Sequence, residues 1–412
     1  MISAIYHIIS GVFLFFLVFP FLKVLFSRLI REKKPVEETK TYDFANIITA
    51  YRNAEIARPL IASLIAQKHR KHHIYLVVDK CDVSDWNLEH EQLTLLKPEP
   101  DLNLKAKSII HATENFVRKH DYIAVFDADN LAHPEFLSEM NRYANAGHRA
   151  IQGQRTAKNL DTTMAAVDAL GEFYKNYVER YVSYLIGSSS VISGSGMAVE
   201  SELYKAYLNS PEIQAGKEQW KKMLQEDKIL QNFLLKQKER IVYAWDAVIY
   251  DEKVSTAEAV ETQRSRWLYS YFQNLPNSSG LLLRGLFTLN WNQFLFGLIT
   301  IAPPLFILLA LSGLLAFLGL FIQPWMTLVF VVAGLIFVGT IFWTLYLSKV
   351  PPKVWQSLRG IPTFVWKQAT ALLKMRNPNK HFKHTEHQHQ VSIEEVLKRK
   401  SEMSNEKSDA HP

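Results

Sequence analysis

Cysteine is almost missing: the 412 residues contain one, Cys81, which excludes an intrachain disulfide framework and a cysteine-rich zinc site. No internal repeat at solenoid spacing is present. The net charge of +7 lacks the interleaved aromatic and basic pattern of a nucleic-acid surface, so no nucleic-acid partner is expected. The cations cluster beside apolar segments instead, which fits an anionic membrane face and makes membrane lipids expected partners. A cleavable leader is also not indicated, because the first apolar run has no positive charge before it and no small-residue cleavage site after it.

What is present begins with that run. Residues 2–22 are almost continuously apolar and are followed by Lys23, Arg28, Arg31, Lys33 and Lys34. The run is long enough to span a bilayer, and the positive flank behind it predicts an outward amino terminus and a cytoplasmic domain after it. Two more apolar blocks, about 294–321 and 325–347, are separated only by Ile322, Gln323 and Pro324 and predict an antiparallel transmembrane hairpin. Lys349, Lys353 and Arg359 then return the chain to the cytoplasm. Three spans are too few for a self-contained transporter built from inverted repeats. The expected organisation is an anchor (1–30), a basic and polar connector (31–43), a cytoplasmic domain (44–275), an interfacial segment (276–293), the hairpin (294–348), an amphipathic interfacial segment (349–376) and a polar tail (377–412). The tail histidines His381, His384, His387 and His389 fit a solvated tail better than a transition-metal site.

Inside the cytoplasmic domain, strand-like and helix-like segments alternate. Strands are predicted at 44–50, 74–78, 122–127 and 240–250, with helices at 54–67, 103–119, 161–184 and 226–236. That alternation implies an α/β fold with a mostly parallel sheet covered on both faces. Tyr174, Tyr177, Tyr181 and Tyr184 recur at near-helical spacing, which fits a half-buried amphipathic face more simply than a sugar-stacking platform.

The chemistry centres on YIAVFDADN (122–130), an apolar run ending in Asp127 and Asp129. Taken alone, it also fits a strand followed by an Asp/Asn turn. As a site, it puts two carboxylates at a strand's carboxyl end, where open α/β sheets place ligands, and such hard oxygen donors suit Mg²⁺ or Mn²⁺ carrying a diphosphate. Downstream, LQEDKIL carries Glu226 and Asp227 at a predicted helix start, either as complements of the helix dipole or as a general base. In QRSRW (263–267), Gln263, Arg266 and Trp267 share a helical face and offer an amide, a cation for phosphate oxygens and an indole for a sugar.

The order of these motifs resembles the family-2 glycosyltransferases, particularly membrane-anchored synthases of the cellulose, chitin, hyaluronan and poly-N-acetylglucosamine type, over residues 44–272. ITAYRN (48–53) and VVDKC (77–81) are similar to the first two strand motifs, and the second implies Asp79 at the uracil or ribose. LKAKS (104–108) resembles the segment that brings Lys105 to the nucleotide. The resemblance implies a GT-A fold, with Asp127 at the diphosphate, Asp129 at the metal and Arg266 at the donor phosphates. It implies Asp227 as base, and Gly194, Ser195 and Gly196 of SGSGMAV with Gln263 and Trp267 on the acceptor side. Thr49, Gln225, the pair Lys80 and Cys81, and Phe382 depart from the family's usual residues. The activity so implied is inverting transfer of a sugar from a nucleotide sugar, UDP-linked in most such enzymes, to a glycan or lipid acceptor at a bacterial cytoplasmic membrane. Three spans are sparse for a polymer channel in one chain, which a homo-oligomer or export partner could complete.

Overall fold

The computed structural model describes residues 2–32, 38–213, 225–373 and 391–409; the tail histidines and Phe382 lie outside these residues. Its centre is an eight-stranded, mostly parallel mixed sheet in the order β3-β2-β1-β4-β7-β6-β8-β5. The strands are β1 (Phe44–Tyr51), β2 (His72–Asp79), β3 (Leu93–Leu96), β4 (Tyr122–Asp127), β5 (Leu131–Ala132), β6 (Ala150–Ala157), β7 (Met197–Glu200) and β8 (Ile241–Asp251). β3, β2, β1 and β4 run parallel, β7 runs against both β4 and β6, and β6 is parallel to β8. Register then decides where the polar ends fall. Tyr51 is opposite Asp79, Thr49 opposite Asp127, and Ala157 opposite Asp251, so these carboxylates gather along one edge.

Alternating side chains bury both faces. Ile48, Leu76 and Phe126 pack with Leu60, Leu64, Phe136 and Met140 on one side. Ile47, Tyr75, Val77 and Val125 pack with Ile109, Tyr204 and Leu234 on the other. The five helices carrying those partners are Arg58–Ile65 and Phe136–Asn145 on the first face, and Lys105–Glu114, Ser201–Leu208 and Glu226–Lys236 on the second.

Three helices are long and apolar enough to cross a membrane: Ser3–Ser27 within the helix Ile2–Ser27, Leu305–Ile322 and Pro324–Leu347. They pack on one another through Tyr6, Leu17, Leu308, Leu315, Phe330 and Phe337. Lys23, buried on the first, donates from Nζ to the Val178 carbonyl at 2.9 Å and joins the apolar helices to the sheet domain.

Several boundaries differ from those the sequence suggests. The apolar block at 294–321 is two helices, Trp291–Ile301 and Leu305–Ile322, because Pro303 and Pro304 lack the amide hydrogens that would continue the first. Its 11-residue first piece is about 16 Å long, too short to span a bilayer. Residues 276–293 are not a separate segment either: one 31-residue helix, Ala257–Phe287, passes through the expected boundary at 275 despite Pro276. The helix expected at 161–184 is interrupted by a π-helical stretch, Lys175–Tyr181, between Thr163–Tyr174 and Val182–Leu185. The tyrosines in and just before that stretch form packing surface, with Tyr174 and Tyr177 buried and Tyr181 5.0 Å from Trp245.

Candidate active site

Beyond the carboxyl ends of β1, β4, β6 and β8 lies a cavity of about 1130 Å³. Lys105, Asp127, Asp129, Gly194, Asp227, Gln263, Arg266 and Trp267 all line it. They arrive on several different elements, each for a local reason. Asp127 ends β4, and the turn after it is pinned by Asn130, whose Oδ1 accepts from the Asp127 amide at 3.2 Å and whose Nδ2 donates to Asp251 at 3.2 Å. Lys105 opens the helix Lys105–Glu114. Asp227 sits in the first turn of Glu226–Lys236, and the QRSRW residues lie in the second and third turns of Ala257–Phe287, whose amino end is capped by Thr256 accepting from the Ala259 amide at 3.2 Å.

Lys105 joins four of these elements. Its ammonium donates to Asp127 Oδ1 at 2.5 Å and to the Gly194 carbonyl at 2.8 Å, and lies 3.6 Å from Glu226 Oε1. Burial works against the charge on Lys105, but Asp127 and Glu226 outweigh it and raise the amine above its ordinary range. Burial likewise pushes the Glu226 carboxyl up, with Lys105 opposing. Gly194 adopts φ +81°, and a Cβ there would lie 3.9 Å from the Asp227 carboxylate, so the glycine turn and the QED helix are in contact. Gln225 donates from Nε2 to Gln273 Oε1 at 2.7 Å and ties that helix to the QRSRW helix.

On the far side of Asp127, Arg266 lines the cavity within the field of that carboxylate; burial pushes its guanidinium down while Asp127 opposes the shift. Trp267 is flanked by cations, with Arg264 4.3 Å and Lys175 5.0 Å from its ring. Gln263 Oε1 is buried and has no hydrogen-bond partner among the described residues, which leaves an acceptor turned inward.

Three sequence candidates fall outside the cavity lining. Asp79 is buried at the end of β2, where Oδ1 accepts from the Leu102 amide at 2.8 Å and holds the loop before Lys105. Ser195 and Gly196 are structural: Gln152 donates from Nε2 to both carbonyls, at 3.1 and 3.2 Å, and a Cβ on Gly196 would meet Ile249 at 2.5 Å.

Sequence reasoning missed a buried charge network beneath Asp129. Arg155 and Arg180 meet Glu172 at 3.1 and 2.6 Å, Lys253 meets Asp251 at 3.0 Å, and Lys158 donates to the Asp129 carbonyl at 3.1 Å. Burial opposes ionisation of Glu172, yet Arg155, Lys253 and Arg180 hold it well below the usual carboxylate range. The available signal was the charge at the ends of the segments that form β6 and β8, RTAK at 155–158 and DEK at 251–253.

Two carboxylates on one turn match a divalent metal that arrives with phosphate oxygens and keeps water, since Mg²⁺ is ordinarily held by one or two carboxylates plus substrate phosphates. Among the described residues no group of three or more His, Cys, Asp or Glu forms a complete protein cage. Asp127 and Asp129 therefore fit as a partial ligand set that a diphosphate would complete.

The fold recurs in a solved structure. The mannosyltransferase PcManGT from Pyrobaculum calidifontis, in complex with GDP-Man and Mn²⁺, aligns over 90% of this chain and 99% of its own with a TM-score of 0.55 and 13% identity. S. aureus TarS 1-349 aligns over 84% of this chain and 93% of its own, at a TM-score of 0.40 and 14% identity. Among curated protein sequences none matches. Residues 42–270 match the family model described as Glycosyltransferase like family 2, and the chain belongs to that family.

Proposed function

We propose that the protein is an inverting glycosyltransferase that moves a sugar from a nucleotide sugar, of the UDP class, to an acceptor hydroxyl at the cytoplasmic face of a membrane. The observation that carries this reading is the convergence of Lys105 on Asp127, Gly194 and Glu226, with Asp227 beside Gly194. A leaving-group side and an acceptor side thereby share one cavity.

Asp127 and Asp129 would hold Mg²⁺ or Mn²⁺, which supplies positive charge to the diphosphate when bound. Arg266 faces the same phosphate oxygens, and Lys105 exchanges its contact with Asp127 for one with the departing diphosphate. Asp227 takes the proton of the acceptor hydroxyl as its oxygen attacks the anomeric carbon. Attack opposite the diphosphate inverts that carbon, so an α-linked donor yields a β-linked product. Gln263 and Trp267 position the sugar and acceptor through an amide and an indole face.

The test is Asp227→Asn. Transfer is expected to fall by about 10²–10⁴-fold, the usual contribution of a general base, while UDP binding by titration stays within about twofold. Undiminished transfer would remove Asp227 as the base. A protein that only binds nucleotide sugars, the competing reading, would release no UDP even as wild type.

A further inference from the structure

The cavity does not end at the sheet. From the Asp127 and Asp227 side it continues past Lys175 and Glu179 to Lys23, and then between the apolar helices to Phe16, Phe19, Pro20, Leu305, Phe306 and Phe337. Phe16 lies 11 residues before the end of Ile2–Ser27 and Phe337 lies 10 before the end of Pro324–Leu347. At 1.5 Å per residue both are about 15 Å from the helix ends nearest the sheet domain. The polar catalytic space and an apolar slot between the membrane-length helices thus line one cavity.

The break at Ala302–Pro304 opens this path. Helix Trp291–Ile301 packs against Ala257–Phe287 so tightly that a Cβ on Gly297 would meet the Leu282 amide nitrogen at 2.4 Å, while Leu305–Ile322 departs toward the anchor helix. Residues 302–304 line the cavity where the two directions part. Lys23 stands at the same neck; it is 4% exposed, and its contacts to Val178 and Ser183 keep it from reaching outward to water. A cation buried in an otherwise apolar span commonly faces a ligand path.

We infer that the acceptor is a membrane amphiphile bearing a free hydroxyl in its head group, and that its tail occupies the apolar slot while the head reaches Asp227. This rests on the transferase reading above and narrows its acceptor. The alternative occupant, a growing glycan, is disfavoured by the slot's chemistry: the sugar hydroxyls would meet phenylalanine, leucine and proline walls and lose their hydrogen bonds to water. In the reaction, the head-group oxygen forms a bond to the anomeric carbon and its proton passes to Asp227. The bond from that carbon to the diphosphate breaks, and its electron pair leaves on the nucleotide.

The experiment uses the full chain in phosphatidylcholine vesicles with Mn²⁺, a panel of sugar-labelled UDP-sugars and a chloroform–methanol extract of cell membranes. UDP release without extract reports the donor site separately. The expected result is labelled sugar in an organic-soluble product carrying one added residue, reduced at least tenfold by Ala302→Trp at the neck. In parallel, a fatty alcohol with a mid-chain diazirine should cross-link to Phe16, Phe19 and Pro20 and to residues 303–308, beyond the outward-facing positions that any lipid touches. Donor hydrolysis accompanied only by a water-soluble polymer ladder, or cross-links confined to outward residues such as Phe26 and Phe317, would overturn the lipid acceptor while leaving the transferase reading in place. No UDP release from any donor would overturn both.

Discussion

Lys105 shows how one side chain organises a site of like charges. Burial, Asp227 and Asp127 all raise the cost of ionising Glu226, and the Lys105 ammonium sits among the three carboxylates. A charge-assisted hydrogen bond contributes about 1.5–3 kcal/mol, so Lys105→Met is expected to weaken UDP binding about 10–100-fold in a titration with Mn²⁺ present. Binding unchanged within twofold would show that Lys105 acts only on the empty protein. Asp127, Asp129, Asp227 and Arg266, which the structure brings to one cavity, were legible as candidates because each lies in a local pattern: a carboxylate pair at a strand end, an acidic helix start or a QRSRW turn. Glu172, Arg155 and Asp251 were not: Arg155 to Asp251 is a contact across the β6–β8 pair, and no local pattern announces a pairing over that separation.

At the scale of elements, strands were the most readable because apolar runs ending in charge mark both their existence and their direction. Helix limits were harder. Pro303 and Pro304 carried a visible signal for the break at 302–304, but apolarity on both sides masked it, since hydropathy does not distinguish one span from a short helix followed by a span. The continuity of Ala257–Phe287 was hidden for a different reason: the helix runs through Pro276, a residue type that ordinarily ends or kinks one. The packing of Ala257–Phe287 against Trp291–Ile301 makes two glycines respond with opposite signs. Gly297→Ala drives a Cβ into the backbone of Leu282, and overpacking of this kind costs about 1–3 kcal/mol. Gly280→Ala, in the same helix pair, meets nothing within 4 Å and should stabilise by up to about 1 kcal/mol through helix propensity. Thermal unfolding in detergent checks this, with Gly297→Ala expected to melt several degrees lower and Gly280→Ala no lower than wild type.

Across the whole molecule, the two edges of the sheet do different work. The carboxyl ends carry the candidate chemistry, and the opposite edge carries a buried histidine cluster that governs acid stability. His72 and His73 begin β2 and are pushed down to about 4 by burial, with Arg118 and His120 adding to the effect on His73. Burial also acts on Asp43, but hydrogen bonds from His120 and Arg118 prevail and hold it down at about 2. The signs follow from which state binds protons first. An unfolded chain protonates His72 and His73 near the usual 6.5, before the folded protein does, so their contribution is present above that pH and is lost as the pH falls toward about 4. Asp43 contributes above the usual 3.8 and is lost on the way to about 2. Thermal unfolding should therefore move to lower temperature between pH 7 and pH 5, and His72→Phe should flatten that dependence; a melting temperature independent of pH over this interval would contradict the assignment.

The chain as a whole reads as a family-2 glycosyltransferase domain joined by Lys23 and the helix pair Ala257–Phe287 and Trp291–Ile301 to three membrane-length helices. The measurement that bears most directly on the proposed activity is UDP release by the purified full chain in lipid vesicles, run across a panel of UDP-sugars with Mn²⁺, Mg²⁺ or EDTA and followed by mass analysis of the product. The expected result is UDP release with one donor, abolished by EDTA and by Asp129→Ala, together with a β-linked sugar on the acceptor. Release that persists undiminished in both EDTA and Asp129→Ala, or no release from any nucleotide sugar, would contradict it.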